Sequence, residues 1–323
     1  MYHYVRDLKR SRFPSIKGLS VEQFKGQVQY IKRHYHVLTL AQCNDAIYHN
    51  ESLPSNGLLL TFDDGLLDHF TVVFPILMNE GLTGVFYPPG EAVVEGKVLD
   101  VHKIHFILAA VANVDNLIKD FFVDLTELRG STDLDIPSDD ALWNQYAVAT
   151  RLDCKEVIFF KHVLQSGLPS PIRKRILSQL FAKYVSKDEV TFAAELYLSQ
   201  DQMRTMAKCG MQFGSHGWRH DWLNTLSEQE QITDIDRSID FLKDSGVWTS
   251  DWSMCYPYGR YNKTTIDVLK SRGCKTAFTV EVALSATDQD HAYAIPRLDT
   301  NDLPKVADAA AGNWLEKQKR INE

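Results

Sequence analysis

The sequence predicts an α/β fold built on parallel strands. Strand-like and helix-like segments alternate over much of the sequence. The strongest strand pattern, at 57–62, is apolar almost throughout, as a strand covered on both faces must be. Several of the helices open on capping boxes: Ser20 with Gln23, Ser199 with Gln202, and Ser227 with Glu230.

Taken in order, the chain begins strand-like at Met1-Tyr2-His3-Tyr4-Val5, and a helix follows with Phe24, Val28 and Ile31 on one face. A strand at 37–40 precedes the run Gly57-Leu58-Leu59-Leu60-Thr61-Phe62, which leads straight into Asp63-Asp64-Gly65. A helix to about Asn79, stopped by Gly81, and a strand at 84–87 complete a βαβ unit. Alternation resumes at Ser199 with a short helix ending at Gly210 and a strand at 211–214 that runs into Ser215-His216. A helix with Ile232, Ile235, Ile239 and Leu242 on one face ends at Gly246. A strand at 254–256, a helix at 262–271 and a strand at 276–280 complete the pattern. Residues 98–198 read differently: mostly helical, with an acidic, turn-rich stretch at 130–140. They are expected to form an insertion or cap within a single domain spanning 1–323.

Composition excludes several classes. With 44% hydrophobic and 24% charged residues the chain has the balance of a globular protein. A formal net charge of -7 without clustered Lys and Arg argues against a nucleic-acid partner. No apolar run approaches the roughly 20 residues of a membrane span. The five cysteines contain no C-x-x-C pair, being an odd number they cannot all pair within the chain, and they are read as reduced thiols. With no basic-then-apolar leader at the start, the expected location is the cytoplasm.

Two stretches carry chemistry. A zinc-type ion takes three fixed protein ligands and keeps one position open, and imidazole with carboxylate supplies such a set. His216-Gly217-Trp218-Arg219-His220 places two histidines four apart, which on a helix face would bring them within about 5–6 Å. Asp63 and Asp64 sit side by side at the end of an apolar strand, where two carboxylates are costly to hold without a cation. One of them can ligate while its neighbour acts as a base.

Thr61-Phe62-Asp63-Asp64-Gly65, followed by Ser215-His216-x-x-x-His220 and then Tyr256-Pro257-Tyr258-Gly259 with Tyr261-Asn262, resembles the polysaccharide deacetylase family, the NodB-homology group of carbohydrate esterases. The third motif is similar to the branch related to poly-N-acetylglucosamine deacetylases. The resemblance implies a distorted (β/α) barrel, with Asp63 as catalytic base and Asp64, His216 and His220 as ligands of one divalent ion. That ion is expected to be Zn2+, with Co2+, Ni2+ or Fe2+ compatible with the same donors. It also implies that the Tyr258 backbone N–H stabilises an oxyanion. Tyr256, Pro257, Trp218 and His102 are expected to contact substrate, and the aromatic residues Tyr87, Trp222, Tyr258 and Tyr261 are further candidates to stack on a sugar ring.

The chain departs from the family pattern at three places. Many members carry an Arg two residues before the motif's Pro, where this chain has Cys255; Arg297, in Ile295-Pro296-Arg297-Leu298, is expected to orient Asp63 instead. The C-terminal Leu-x-His that supplies a general acid is absent, leaving His3, His69, His102, His105 and His291 as candidates to protonate the leaving amine. The insertion of about a hundred residues is larger than an ordinary connection, and as a cap it would narrow the cleft. The expected function is metal-dependent removal of an N-acetyl group from an amino sugar, as a cytoplasmic nucleotide- or lipid-linked intermediate of surface polysaccharide synthesis. The alternatives are the same chemistry on an exported polymer (peptidoglycan, chitin or poly-N-acetylglucosamine), hydrolysis of a non-sugar amide, or a catalytically silent carbohydrate-binding homologue.

Overall fold

In the computed structural model, which describes residues 1–150, 153–286 and 288–322, every pairing between named strands is parallel. The chain divides into two compact units: residues 1–7, 17–96 and 193–323, and residues 8–16 with 97–192. Among the described residues the first unit carries all seven strands: β1 (His36–Leu38), β2 (Gly57–Leu59), β3 (Thr61–Asp63), β4 (Val85–Tyr87), β5 (Gln212–Phe213), β6 (Ser253–Cys255) and β7 (Thr276–Phe278). They pair as β1-β2, β3-β4-β5 and β6-β7. Single parallel bridges continue the pairings, Tyr2 beside Phe62, Ser215 beside Met254 and Phe278 beside Ile295. The Met1 amine donates to the Leu298 carbonyl at 2.8 Å. The ends of β3, β5, β6 and the 295–298 segment are thereby drawn together.

All three capping boxes read from the sequence form, at Val21–His34, Gln200–Lys208 and Glu228–Asp244. Strand lengths differ from expectation. The strand expected at 37–40 ends at Leu38, because Thr39 with Gln42 makes a further capping box and opens a helix at Leu40–His49. The expected 57–62 run is two short strands broken at Leu60. The helix before Gly81 starts as a π-helical turn, His69–Val73, and becomes α-helical at Phe74–Glu80, with Pro75 near its start, where a missing N–H costs least.

Apolar packing explains the rest of this unit. Tyr2, Phe24, Phe62, Phe86 and Phe213 form one core beneath the β3-β4-β5 sheet, with Tyr2 stacked on Phe62 and Phe62 on Phe86. Ile235, Ile239, Met254, Leu269 and Ala277 form a second core under β6 and β7. The other unit is helical, its main elements being Asp100–Ala110, Val114–Arg129, Lys155–His162 and Ser170–Tyr184. It packs Phe106, Phe181 and Phe192 edge to face and holds the buried Lys103 ammonium 2.9 Å from Glu189. Among the described residues no helix is long and apolar enough to cross a membrane.

The turn after β3 demands glycine. Gly65 has φ +60, and a Cβ there would lie 2.7 and 2.9 Å from Pro88 atoms, whereas Gly81, at φ +67, has open space around it. Gly65→Ala is therefore expected to cost about 2–4 kcal/mol, from left-handed strain plus overpacking, and Gly81→Ala only about 1–2. Urea unfolding of the two variants checks this; equal losses would contradict it.

Candidate metal centre

Asp63 ends β3 with an extended backbone, and Asp64 follows at φ 71, so the chain turns sharply between two adjacent, buried carboxylates. They meet different partners. Asp63 takes a bidentate ion pair from Arg297, Nη1 to Oδ1 at 2.9 Å and Nη2 to Oδ2 at 2.8 Å. The remaining guanidinium N–H groups donate to Thr279 O at 2.8 Å, Thr61 Oγ1 at 3.1 Å and Cys255 Sγ at 3.1 Å, so all five donors of Arg297 are used. Burial alone would raise the Asp63 pKa, but the Arg297 charge and its hydrogen bonds, with smaller help from His216 and His3, hold the carboxyl well below the usual carboxylate range. The small Cys255 thiol thus lies beside a guanidinium that arrives from another strand end.

Asp64 faces the two histidines. Its Oδ1 lies 3.4 Å from His216 Nε2 and 3.4 Å from His220 Nε2, and all three side chains are buried. Tetrahedral coordination with bonds of 2.0–2.2 Å places neighbouring ligand atoms roughly 3.3–3.6 Å apart, so these donors are already spaced for one ion. The tautomer fits as well. The Nδ1–H of His216 donates to the Cys255 carbonyl at 2.7 Å, which leaves the Nε2 lone pair for a metal. Burial disfavours the imidazolium of His216, yet Cys255 and the carboxylates Asp64 and Asp63 outweigh it and raise its pKa well above the ordinary range: this is a surrounding that wants a positive charge. Asp63, His216 and Cys255 form a second close group. It suits a metal poorly, because Arg297 already neutralises Asp63 and burial pushes the Cys255 thiol up, away from the ligating thiolate.

The histidine pair does not sit on a helix. Residues 216–220 form an irregular loop with Gly217 at φ 72 and His220 at φ 59, and this curl brings the ring centroids to 4.7 Å. Its anchor is Asp234, on the helix Glu228–Asp244, whose carboxylate accepts the N–H groups of Trp218 at 2.8 Å and Arg219 at 3.1 Å. Gly217 is required because a Cβ would lie 2.7 Å from that carboxylate. Sequence reasoning missed Asp234, which reads as one more polar residue on a helix. It also missed that Asp64, His220 and Tyr258 are, among the described residues, three of the four non-glycine residues with left-handed backbone, a costly conformation gathered at one site.

Of the five histidines considered as proton donors, the structure brings His3 to the carboxylates, its Nε2 4.0 Å from both Asp63 Oδ2 and Asp64 Oδ2 and its side chain 40% exposed. His69 is buried against Phe62 and Phe86 and holds the His3 carbonyl at 3.0 Å. His291 pairs with Asp288 at the surface, and His102 and His105 belong to the helical unit.

Four residues expected to contact substrate have buried side chains. Tyr256 is fully buried, stacks on Tyr261 and donates to the Tyr293 carbonyl, so it is core. Trp218 is packed over Gly90 with Arg237 across its face. Pro257 is buried and starts the turn, near Gly217. His102 is fully buried in its helix. Tyr87 is likewise interior, bonded to Ser253. Tyr258 and Trp222 remain at the site: Tyr258 lies 4.8 Å from the His220 ring and 5.5 Å from Trp222, by centroids.

The Arg297 pair makes a stability prediction. Arg297→Met leaves Asp63 buried without its partner and is expected to cost about 3–5 kcal/mol at neutral pH. Because the folded-state pKa of Asp63 is depressed, the pair's contribution is present above the unfolded carboxylate pKa and is lost as pH falls below it, so the gap between parent and variant should narrow in acid. A gap below about 1 kcal/mol, or one indifferent to pH, would contradict the assignment.

Comparison with known proteins agrees with this geometry. Residues 175–277, which include the second and third motifs, match the polysaccharide deacetylase family. The chain is 30% identical over 123 residues to the putative polysaccharide deacetylase YxkH of Bacillus subtilis, covering 38% of this chain and 43% of that protein, so it spans less than half of this relative's length. In structure it is similar to the deacetylase PplD of Streptococcus pyogenes, solved in complex with acetate, with a TM-score of 0.57, 16% identity, and coverage of 92% of this chain and 89% of that one. It is also similar to a de-N-acetylase from Aggregatibacter actinomycetemcomitans, with a TM-score of 0.50, 16% identity, and coverage of 98% and 97%. IcaB from Ammonifex degensii has a TM-score of 0.50 at 17% identity, covering 92% and 89%. These likenesses establish a shared α/β fold, and the segment that carries the second and third motifs is similar to the polysaccharide deacetylase family.

Proposed function

We propose that the protein hydrolyses the N-acetyl group of an amino sugar at a divalent-ion site made by Asp64, His216 and His220, with Zn2+ as the resident ion. The observation that carries this reading is the 3.4 Å spacing of Asp64 Oδ1 from both imidazole Nε2 atoms, beside a second carboxylate that Arg297 holds separately. The succession of parallel pairings through the first unit supports reading its fold as the distorted barrel of this family.

An ion held by Asp64, His216 and His220 would supply Lewis-acid chemistry, polarising the acetamide carbonyl and lowering the pKa of the attacking water. Asp63, held ionised by Arg297, accepts the water's proton. The Tyr258 backbone N–H faces the charge developing on the carbonyl oxygen. His3 gives its proton to the nitrogen as the C–N bond breaks, so that a C–O bond has formed and acetate and a free amino sugar leave. Trp222 and Tyr258 offer flat faces to a pyranose ring.

The test is acetate release from a panel of nucleotide-linked N-acetylhexosamines and chitin-type oligomers, with chelated and remetallated protein. Asp63→Asn is expected to lower kcat by roughly a thousandfold or more while keeping the metal, and His3→Gln by roughly a hundredfold. An Asp63→Asn variant as active as the parent would overturn the base assignment.

A further inference from the structure

The geometry points to a substrate that carries an acidic substituent, phosphoryl or carboxyl, gripped by Arg260 beside the metal centre; this rests on reading the centre as an N-deacetylase site. The Arg260 guanidinium carbon lies 4.9 Å from the centre of the Trp222 ring, Trp222 adjoins Tyr258, and Tyr258 adjoins the ligand His220. One unbroken row therefore leads from a metal ligand, across two partly exposed aromatic rings, to an exposed cation.

The distinctive feature of Arg260 is its lack of an acidic partner. Each of the other arginines of the first unit with described side chains has a carboxylate at ion-pairing distance, Arg219 with Asp221 and Arg297 with Asp63 among them. Arg260, among the described residues, has only the Trp222 face. Cation–π attraction holds the guanidinium over the ring without using its N–H donors in an ion pair, and a guanidinium with free donors can meet a phosphoryl or carboxyl group with two parallel hydrogen bonds. The backbone beneath is fixed too. Tyr258 at φ 55 and Gly259 at φ 65 make a tight turn, and a Cβ on Gly259 would lie 2.5 Å from Val280 Cγ2, so the turn is wedged against the chain after β7. In a protein of formal net charge -7, an anionic substrate needs such a local cation to approach the carboxylate-rich centre.

The experiment uses the full metal-loaded chain with N-acetylglucosamine 1-phosphate, N-acetylmuramic acid and neutral tri-N-acetylchitotriose. The parent should prefer an acidic substrate over the neutral one by kcat/KM. In Arg260→Gln that preference should fall about tenfold or more, mainly through KM, with the unfolding midpoint kept, and Arg260→Lys should restore only part of it. Which acidic substrate loses the preference distinguishes phosphoryl from carboxyl. A parent that favours the neutral oligomer, or a preference unchanged in Arg260→Gln, would overturn the inference. If no substrate releases acetate, calorimetric titration with N-acetylglucosamine 1-phosphate separates the two claims. Binding that Arg260→Gln abolishes upholds the acidic subsite and sinks the hydrolase reading alone; binding that is absent, or equal in both proteins, sinks the subsite.

Discussion

Two carboxylates next to each other in a buried turn repel one another and lose their hydration, and a stable fold must give each of them a positive partner. Here the partners differ in kind. Asp63 has a permanent guanidinium whose five donors are all used, and Asp64 has two imidazoles whose donor atoms sit at ligand spacing. The left-handed backbone at Asp64 separates the two environments, because the chain direction changes between one side chain and the next. Most of the site follows from that division of labour. Arg297 must arrive from the far end of the chain, Cys255 must be small enough to admit it, and the loop 216–220 must curl so that both imidazoles face the same oxygen.

The fold supplies these conditions by ending its parallel strands at one place. β3 delivers the carboxylates, the segment after β5 the first histidine, β6 the carbonyl that fixes its tautomer, and the bridge after β7 the arginine. Asp234 ties down the loop between the histidines with two backbone hydrogen bonds. Strain accumulates where control is tightest: Asp64, His220 and Tyr258 hold conformations that each cost of order 1–3 kcal/mol, stabilised by the packing around them.

Much of this was legible in the sequence, and what was missed has physical reasons. The capping boxes at Ser20, Ser199 and Ser227 are local, so they could be read directly, whereas the Thr39 box was hidden by an apolar pattern that reads equally as strand. The metal donors were legible because their residue types and order are unusual together. The shape of the histidine loop was not, because spacing by four suggests a helix and only Gly217 hints at a curl. The aromatic residues were the least legible. Tyr256 and Trp218 are chemically as suited to a sugar as Trp222 and Tyr258, and only packing separates the pair that went into the core from the pair left at the surface. His3 was one candidate among five until the pairing of Tyr2 with Phe62 set it beside the carboxylates.

At the centre of the proposed site is one ion held by one carboxylate oxygen and two imidazole nitrogens. X-ray absorption at the zinc edge of the reconstituted protein measures this directly. The structure predicts one ion per chain with only nitrogen and oxygen neighbours at about 2.0–2.2 Å. A sulfur neighbour at about 2.3 Å would move the ion to the Asp63, His216 and Cys255 group, and either that result or the absence of stoichiometric metal would contradict it.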